Sequence, residues 1–173
     1  MRNSFFSLLV LASLALVVNA QSASNAAPST IKCPHCGVGD VPAWCTDFDK
    51  ALAIAKESQK PILIVFSGSD WCPPCIVFEK EILSTPEFLA AMKACKFVPL
   101  FVDFPRTKRL PADQTRKNAA LAEKFNVEGF PTTVLLNPDG KVLAKQFGLT
   151  SFYGAPLWRT PKDFLAWIER NAK

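Results

Sequence analysis

The chain has 173 residues, 49% hydrophobic and 20% charged, which suits one folded domain and excludes a collagen-like, low-complexity or largely disordered protein. Twenty Lys plus Arg against fifteen Asp plus Glu leave a net charge of only +5, and without a long basic run this argues against nucleic acid as a partner. Fourteen Phe beside a single Tyr mark the aromatics as core material, and six Cys in so short a chain carry most of the chemical information.

The first segment reads as an address. Met1-Arg2-Asn3 is a short positive start, Phe5 to Val18 is apolar, and Val18-Asn19-Ala20 supplies a small-x-small cleavage pattern. The apolar run is shorter than the roughly 20 residues that span a bilayer. Residues 1–20 are therefore expected to be a signal peptide cleaved near Ala20. The mature protein is then exported, periplasmic or secreted, without stable membrane insertion, in a compartment where cysteines can stay oxidised. Residues 21–45 read as a flexible, Cys-containing leader, and residues 46–173 as one domain.

Within that domain, Thr46-x-x-Asp49 opens a helix to about Ser58, with Phe48, Leu52 and Ala55 at helical spacing. Pro61 to Phe66 is a continuous apolar run, as expected for a strand covered on both faces. A helix is expected from about Cys72 to Leu83, and a second one, after Thr85-Pro86, to about Cys95. Phe97 to Asp103 reads as another buried strand. A basic, Pro-containing loop, Pro105 to Ala112, leads to a helix capped by Asp113 and ending near Phe125. Gly129 to Leu136 and Lys141 to Phe147 flank the turn sequence Asn137-Pro138-Asp139-Gly140, a hairpin signature. Thr160-Pro161-x-Asp163 starts the last helix. This order implies an α/β fold with a central mixed sheet flanked by helices: one parallel pair joined by crossover helices, and an antiparallel hairpin beside it.

Trp71-Cys72-Pro73-Pro74-Cys75 follows a buried strand and opens a helix. The spacing brings two sulfurs within bonding reach across a first turn, where unpaired N–H groups favour a thiolate. Pro73 and Pro74 are tolerated because first-turn N–H groups have no helical partner. The turn at Trp71 is expected to leave Cys72 near the surface and Cys75 deeper. The former then attacks a disulfide and the latter resolves the mixed disulfide.

Phe66 to Cys75, together with Asn126-Val127-Glu128-Gly129-Phe130-Pro131-Thr132, resembles the thioredoxin family, and the likeness extends over about Thr46 to Lys173. The resemblance implies a thioredoxin fold and thiol–disulfide oxidoreductase activity with Cys72 and Cys75 catalytic. It also implies a cis bond between Phe130 and Pro131 facing the cysteines, where the Phe130 backbone shapes a groove for a substrate peptide. Such chemistry needs no organic cofactor and no metal at this site. Its partners are protein thiols and disulfides, and an upstream redox protein that recycles the pair.

Three departures bear on mechanism. The family's buried Asp, six residues before the first active-site Cys, is replaced by Phe66, and its Lys on the next strand falls on Pro99. Glu79, four residues after Cys75, is a possible base through water. Asp70 reads as a helix cap. The Pro-Pro dipeptide, lacking the His of strongly oxidising relatives, resembles reductive or intermediate members. A disulfide isomerase and a non-catalytic binding module with structural cysteines remain as alternatives.

Cys33-Pro34-His35-Cys36 repeats the Cys-x-x-Cys spacing without a preceding strand or a following helix, so it lacks redox context. Cys33, Cys36, Cys45 and Cys95 are candidates for structural disulfides, which an exported chain favours. A zinc site and auxiliary thiols stay open for the same four.

Overall fold

The computed structural model describes residues 43–149 and 158–173. The expected signal peptide, and most of the leader with Cys33, His35 and Cys36, lie outside the described residues.

The first helix, α1 (Phe48–Ser58), starts at Asp47, whose carboxylate accepts the Lys50 N–H at 3.0 Å. The cap is thus one residue later than Thr46, because Asp47 reaches an orphan donor of the first turn. Ala51, Ile54 and Ala55 form its buried face. Strand β1 (Ile62–Ser67) is buried at all six positions. Alternation sorts its side chains: Ile62, Ile64 and Phe66 enter one core cluster, Leu63 and Val65 the other. Both faces of the strand are therefore covered.

Helix α2 (Pro73–Phe78) does not continue as a regular helix to Leu83, because Glu79–Leu83 forms a π-helical segment. Phe78, Ile82 and Leu83 still turn inward, into one core cluster with Phe88 and Phe164. Thr85 caps α3 (Pro86–Lys93), its hydroxyl accepting the Phe88 N–H, with Pro86 in the first turn. Strand β2 (Val98–Asp103) follows, then α4 (Ala112–Lys124), whose N-cap is Pro111 while Asp113 sits in the first turn. Strands β3 (Thr132–Leu136) and β4 (Val142–Phe147) flank a turn in which Gly140 has φ +84° and Asn137 accepts the Asp139 and Lys141 N–H groups. That conformation suits glycine. Helix α5 (Pro161–Asn171) begins with a capping box between Thr160 and Asp163.

The sheet order is β2-β1-β3-β4, with β1 parallel to β2 and antiparallel to β3, and β3 antiparallel to β4. This is the expected mixed sheet. Leu121 and Phe125 of the α4 region cover the Phe66 face, beside α1. Phe78, Phe88 and Phe164, from α2, α3 and α5, cover the other.

Two residues ahead of Thr46 pack on the domain. Trp44 stacks on Phe88 with centroids 5.9 Å apart, and Cys45 bridges β2 through its N–H to Pro99 O and its carbonyl to Phe101 N–H, both at 2.8 Å. These two residues are part of the fold because β2 has an edge to extend.

Candidate active site

Strand β1 ends at Ser67, and the next four residues turn the chain into α2. At Gly68 an added Cβ would lie 2.6 Å from the Trp71 ring, so the close approach of the indole requires glycine. The Cys72 N–H donates to Gly68 O at 2.9 Å, which closes the turn. Cys72 is the N-cap of α2 in extended conformation, and Pro73 takes the first helical position. Cys72 and Cys75 are joined by a disulfide, with their Cα atoms 5.2 Å apart.

The bond is more enclosed than the sequence suggests. Cys72 is only 4% exposed and Cys75 1%, so Cys72, expected near the surface, is itself buried. One distant segment lies against it. The Phe130–Pro131 peptide bond is cis, and the Phe130 carbonyl oxygen lies 3.7 Å from Cys72 Sγ. The Phe130 ring meets Trp71 edge-on at 6.1 Å and stacks on Phe104 at 4.9 Å.

Asp70 also departs from its expected role. It caps no helix. Its carboxylate accepts the Arg106 N–H at 2.9 Å, the Thr107 N–H at 2.8 Å, the Lys108 N–H at 3.2 Å and the Thr107 hydroxyl. The Thr107 hydroxyl first, then the Arg106 N–H, hold this carboxyl far below the usual carboxylate range. Neighbouring residues are laced to the same region. Asp103 accepts the Ser69 N–H at 3.0 Å and the Ser69 hydroxyl at 2.6 Å. The Trp71 indole N–H donates to Phe104 O at 2.7 Å, and the Arg106 guanidinium lies 3.6 Å over the Trp71 ring. Three consecutive residues of the turn are thus tied to the end of β2 and the segment that follows it.

Phe66 is fully buried and Pro99 is buried one strand away, so neither position offers a proton acceptor. Glu79 is exposed and borders a groove with Trp44, Leu83 and Phe101, which contains neither Cys72 nor Cys75. Pro73 and Pro74 are exposed on the first turn of α2, and Pro131 is buried. Of the remaining cysteines, Cys45 and Cys95 are both disulfide-bonded. Cys33 and Cys36 lie outside the described residues.

The residues that sequence reasoning passed over are Ser69, Asp103, Phe104 and the backbone of 106–108. Their only sequence signal is a Pro-Arg-Thr-Lys-Arg run that looks like an ordinary solvated loop.

A family profile described as thioredoxin-like domain matches residues 48–154. The chain belongs to this family. Two relatives from Chlamydia pneumoniae are similar to it. The disulfide bond reductase DsbH is 37% identical over 98 residues, covering 57% of this chain and 58% of that protein. The thioredoxin-related protein DsbJ is 36% identical over 94 residues, covering 54% and 27%. The chain therefore spans little more than half of one relative and about a quarter of the other. Among solved structures, a DsbH oxidoreductase superimposes with TM-score 0.62 at 29% identity, covering 75% of this chain and 83% of that one. A mutant thioredoxin from Halobacterium salinarum superimposes with TM-score 0.50 at 21% identity, covering 79% and 97%, which speaks for the fold alone. Among the described residues, no helix of this thioredoxin-like protein is long and apolar enough to cross a membrane.

Proposed function

We propose that this protein is an exported thiol–disulfide oxidoreductase that exchanges disulfides with protein substrates through Cys72 and Cys75, working in the reductive or intermediate range. The observation that carries the reading is the Cys72–Cys75 bond at the start of α2, with the Phe130 carbonyl 3.7 Å from the first sulfur. An isolated structural bridge has no need of that placement. The similarity to DsbH, a disulfide bond reductase, supports the same class.

In the reduced protein, the helix start favours the Cys72 thiolate. That thiolate attacks one sulfur of a substrate disulfide, the substrate S–S bond breaks, and the other substrate sulfur leaves as a thiolate that takes a proton from water. Cys75 then loses its proton and attacks Cys72 Sγ. The mixed disulfide breaks, the second substrate thiol departs, and the Cys72–Cys75 bond is restored. Two electrons have passed from the pair to the substrate, and an upstream dithiol protein returns them. Trp71 and Phe130 flank the entering sulfur, and the Phe130 backbone offers an extended segment against which a substrate peptide can align. Export rests on the Met1 to Ala20 pattern, and a mature N-terminus beginning at Gln21 would verify it.

The test is the equilibrium potential of the pair against glutathione. The expected value lies between about −270 and −180 mV, the span from thioredoxin to disulfide isomerase. A value near about −120 mV would overturn the reductive reading in favour of an oxidase. A value at the isomerase end, with Cys72 reduced at steady state, would support an isomerase. A bond that no thiol buffer opens would leave a binding module.

A further inference from the structure

Loop residues 105–110 and helix α4 border a groove of about 300 Å³. Arg106, Lys108 and Arg109 line it from the loop, Thr115 and Asn118 from the helix, and Asp103 is also in its lining. We propose that this groove is a specificity subsite for acidic side chains that flank the reacting cysteine of a polypeptide substrate. The proposal rests on the oxidoreductase reading and names the substrate class for that site.

Charge is the first argument. Among the described residues, none of the three cationic side chains has a carboxylate within ion-pair distance, and all three residues are exposed. The two nearby carboxylates are already engaged: Asp103 with Ser69, and Asp70 with four donors of residues 106–108. Asn118 is engaged as well, donating to Asp103 O and accepting from Gln114. The groove lining therefore carries three cations against one carboxylate, Asp103, whose oxygens are already occupied by the neutral donors of Ser69, and the excess charge is positive. Guanidinium groups match a carboxylate with two parallel N–H donors, which an ammonium does not.

Rigidity is the second. The Asp70 contacts fix the loop backbone, and the Trp71 ring holds the Arg106 guanidinium at 3.6 Å. A cation held in place before binding loses less freedom when a ligand arrives, so more of its attraction appears as affinity.

Position is the third. Phe104, in the groove lining, stacks on Phe130, whose carbonyl reaches toward Cys72 Sγ. Phe104 and Phe130 thus link the groove lining to the reacting sulfur. An extended chain advances about 3.3 Å per residue, so side chains a few residues from a cysteine bound at Cys72 come over the groove.

The experiment uses the mature protein and two disulfide peptides that differ only in Glu or Gln at the positions flanking cysteine. The expected ratio of kcat/KM, Glu over Gln peptide, is about tenfold at low salt and falls toward one at 0.5 M salt, where the Debye length is only a few ångströms. In Lys108→Ser/Arg109→Ser the low-salt ratio drops to within twofold of one. Arg109→Lys, which keeps the charge but loses the fork, retains part of it. A wild-type ratio near one would overturn the subsite. So would an undiminished ratio in the double variant with an unchanged denaturant midpoint. A preference for glutathione disulfide over the Glu peptide that disappears in the double variant would overturn the polypeptide occupant. Failure of both peptides to be reduced would instead overturn the oxidoreductase reading on which the subsite stands.

Discussion

Phe66 of β1 meets Phe125 edge-on, with ring centroids 6.2 Å apart, and the two residues are 0% and 6% exposed. The pair fills the place where the resemblance to thioredoxins leads one to expect a buried carboxyl. A ring there contributes apolar packing and no proton acceptor, so buried Cys75, 1% exposed, has no carboxyl at this position of β1 to take its proton. Burial raises a thiol's pKa because the charged form is poorly solvated.

Resolution of mixed disulfides is accordingly expected to be slow near neutral pH and to accelerate as pH rises. Phe66→Asp should speed resolution near pH 7, read by stopped flow on a preformed mixed disulfide. The same change should lower stability by at least about 3 kcal/mol, since it removes a packed ring and buries an unpaired carboxyl. Denaturant midpoints report that second effect separately. An unchanged resolution rate would mean that water or Glu79 already accepts the proton.

The two sulfurs should differ in reactivity once reduced. Cys72 caps α2 beside the turn, and Cys75 is the deeper of the pair. Limiting alkylating reagent near neutral pH should modify Cys72 well before Cys75, as mapped by peptide mass. In Cys75→Ser, mixed disulfides should accumulate on Cys72, because the resolving thiol is gone. Prior labelling of Cys75 would reverse the assigned roles.

Asp70→Asn should destabilise the active-site turn in a pH-dependent way. The Thr107 hydroxyl and the Arg106, Thr107 and Lys108 N–H groups depress the carboxyl pKa in the folded state. A depressed folded pKa gives stabilisation that is complete above the unfolded value of about 3.9 and lost as pH falls toward the folded one. The gap in denaturant midpoint between wild type and variant should therefore be constant from about pH 5.5 to 7 and narrow below about pH 4. A gap that stays the same at pH 3 would mean that the carboxylate charge is irrelevant to the turn.

Helix α5 offers a purely structural test. The Thr160 hydroxyl accepts the Asp163 N–H at 3.2 Å while the Asp163 carboxylate accepts the Thr160 N–H at 3.0 Å. Helix α5 buries Phe164 and Ile168 in the core, so its start matters to the whole domain. Thr160→Ala should cost about 1 kcal/mol, visible in the midpoint of urea unfolding. A shift under a few tenths would mean that packing of Phe164 alone sets the helix.

The order of elements and the mixed sheet follow from local patterns, because each apolar run, cap and turn residue acts on its immediate neighbours. Thr85-Pro86, Thr160-Pro161-x-Asp163 and Asn137-Pro138-Asp139-Gly140 mark their element boundaries for that reason. The Cys72–Cys75 pair is legible in the same way, since three residues of separation fix the reach of the sulfurs. What the sequence leaves open depends on partners far along the chain. Asp70 finds donors 36 to 38 residues away and so serves a loop in place of its own helix. Trp44 joins the core only because Phe88 and Phe101 are brought beside it. Arg106 becomes part of the site once Trp71 gives it a ring to lie on. Short-range rules decide what each segment becomes. Only packing decides which charges end up unpaired, which carboxylates are satisfied, and how deeply Cys72 lies, because those depend on neighbours that folding alone assembles.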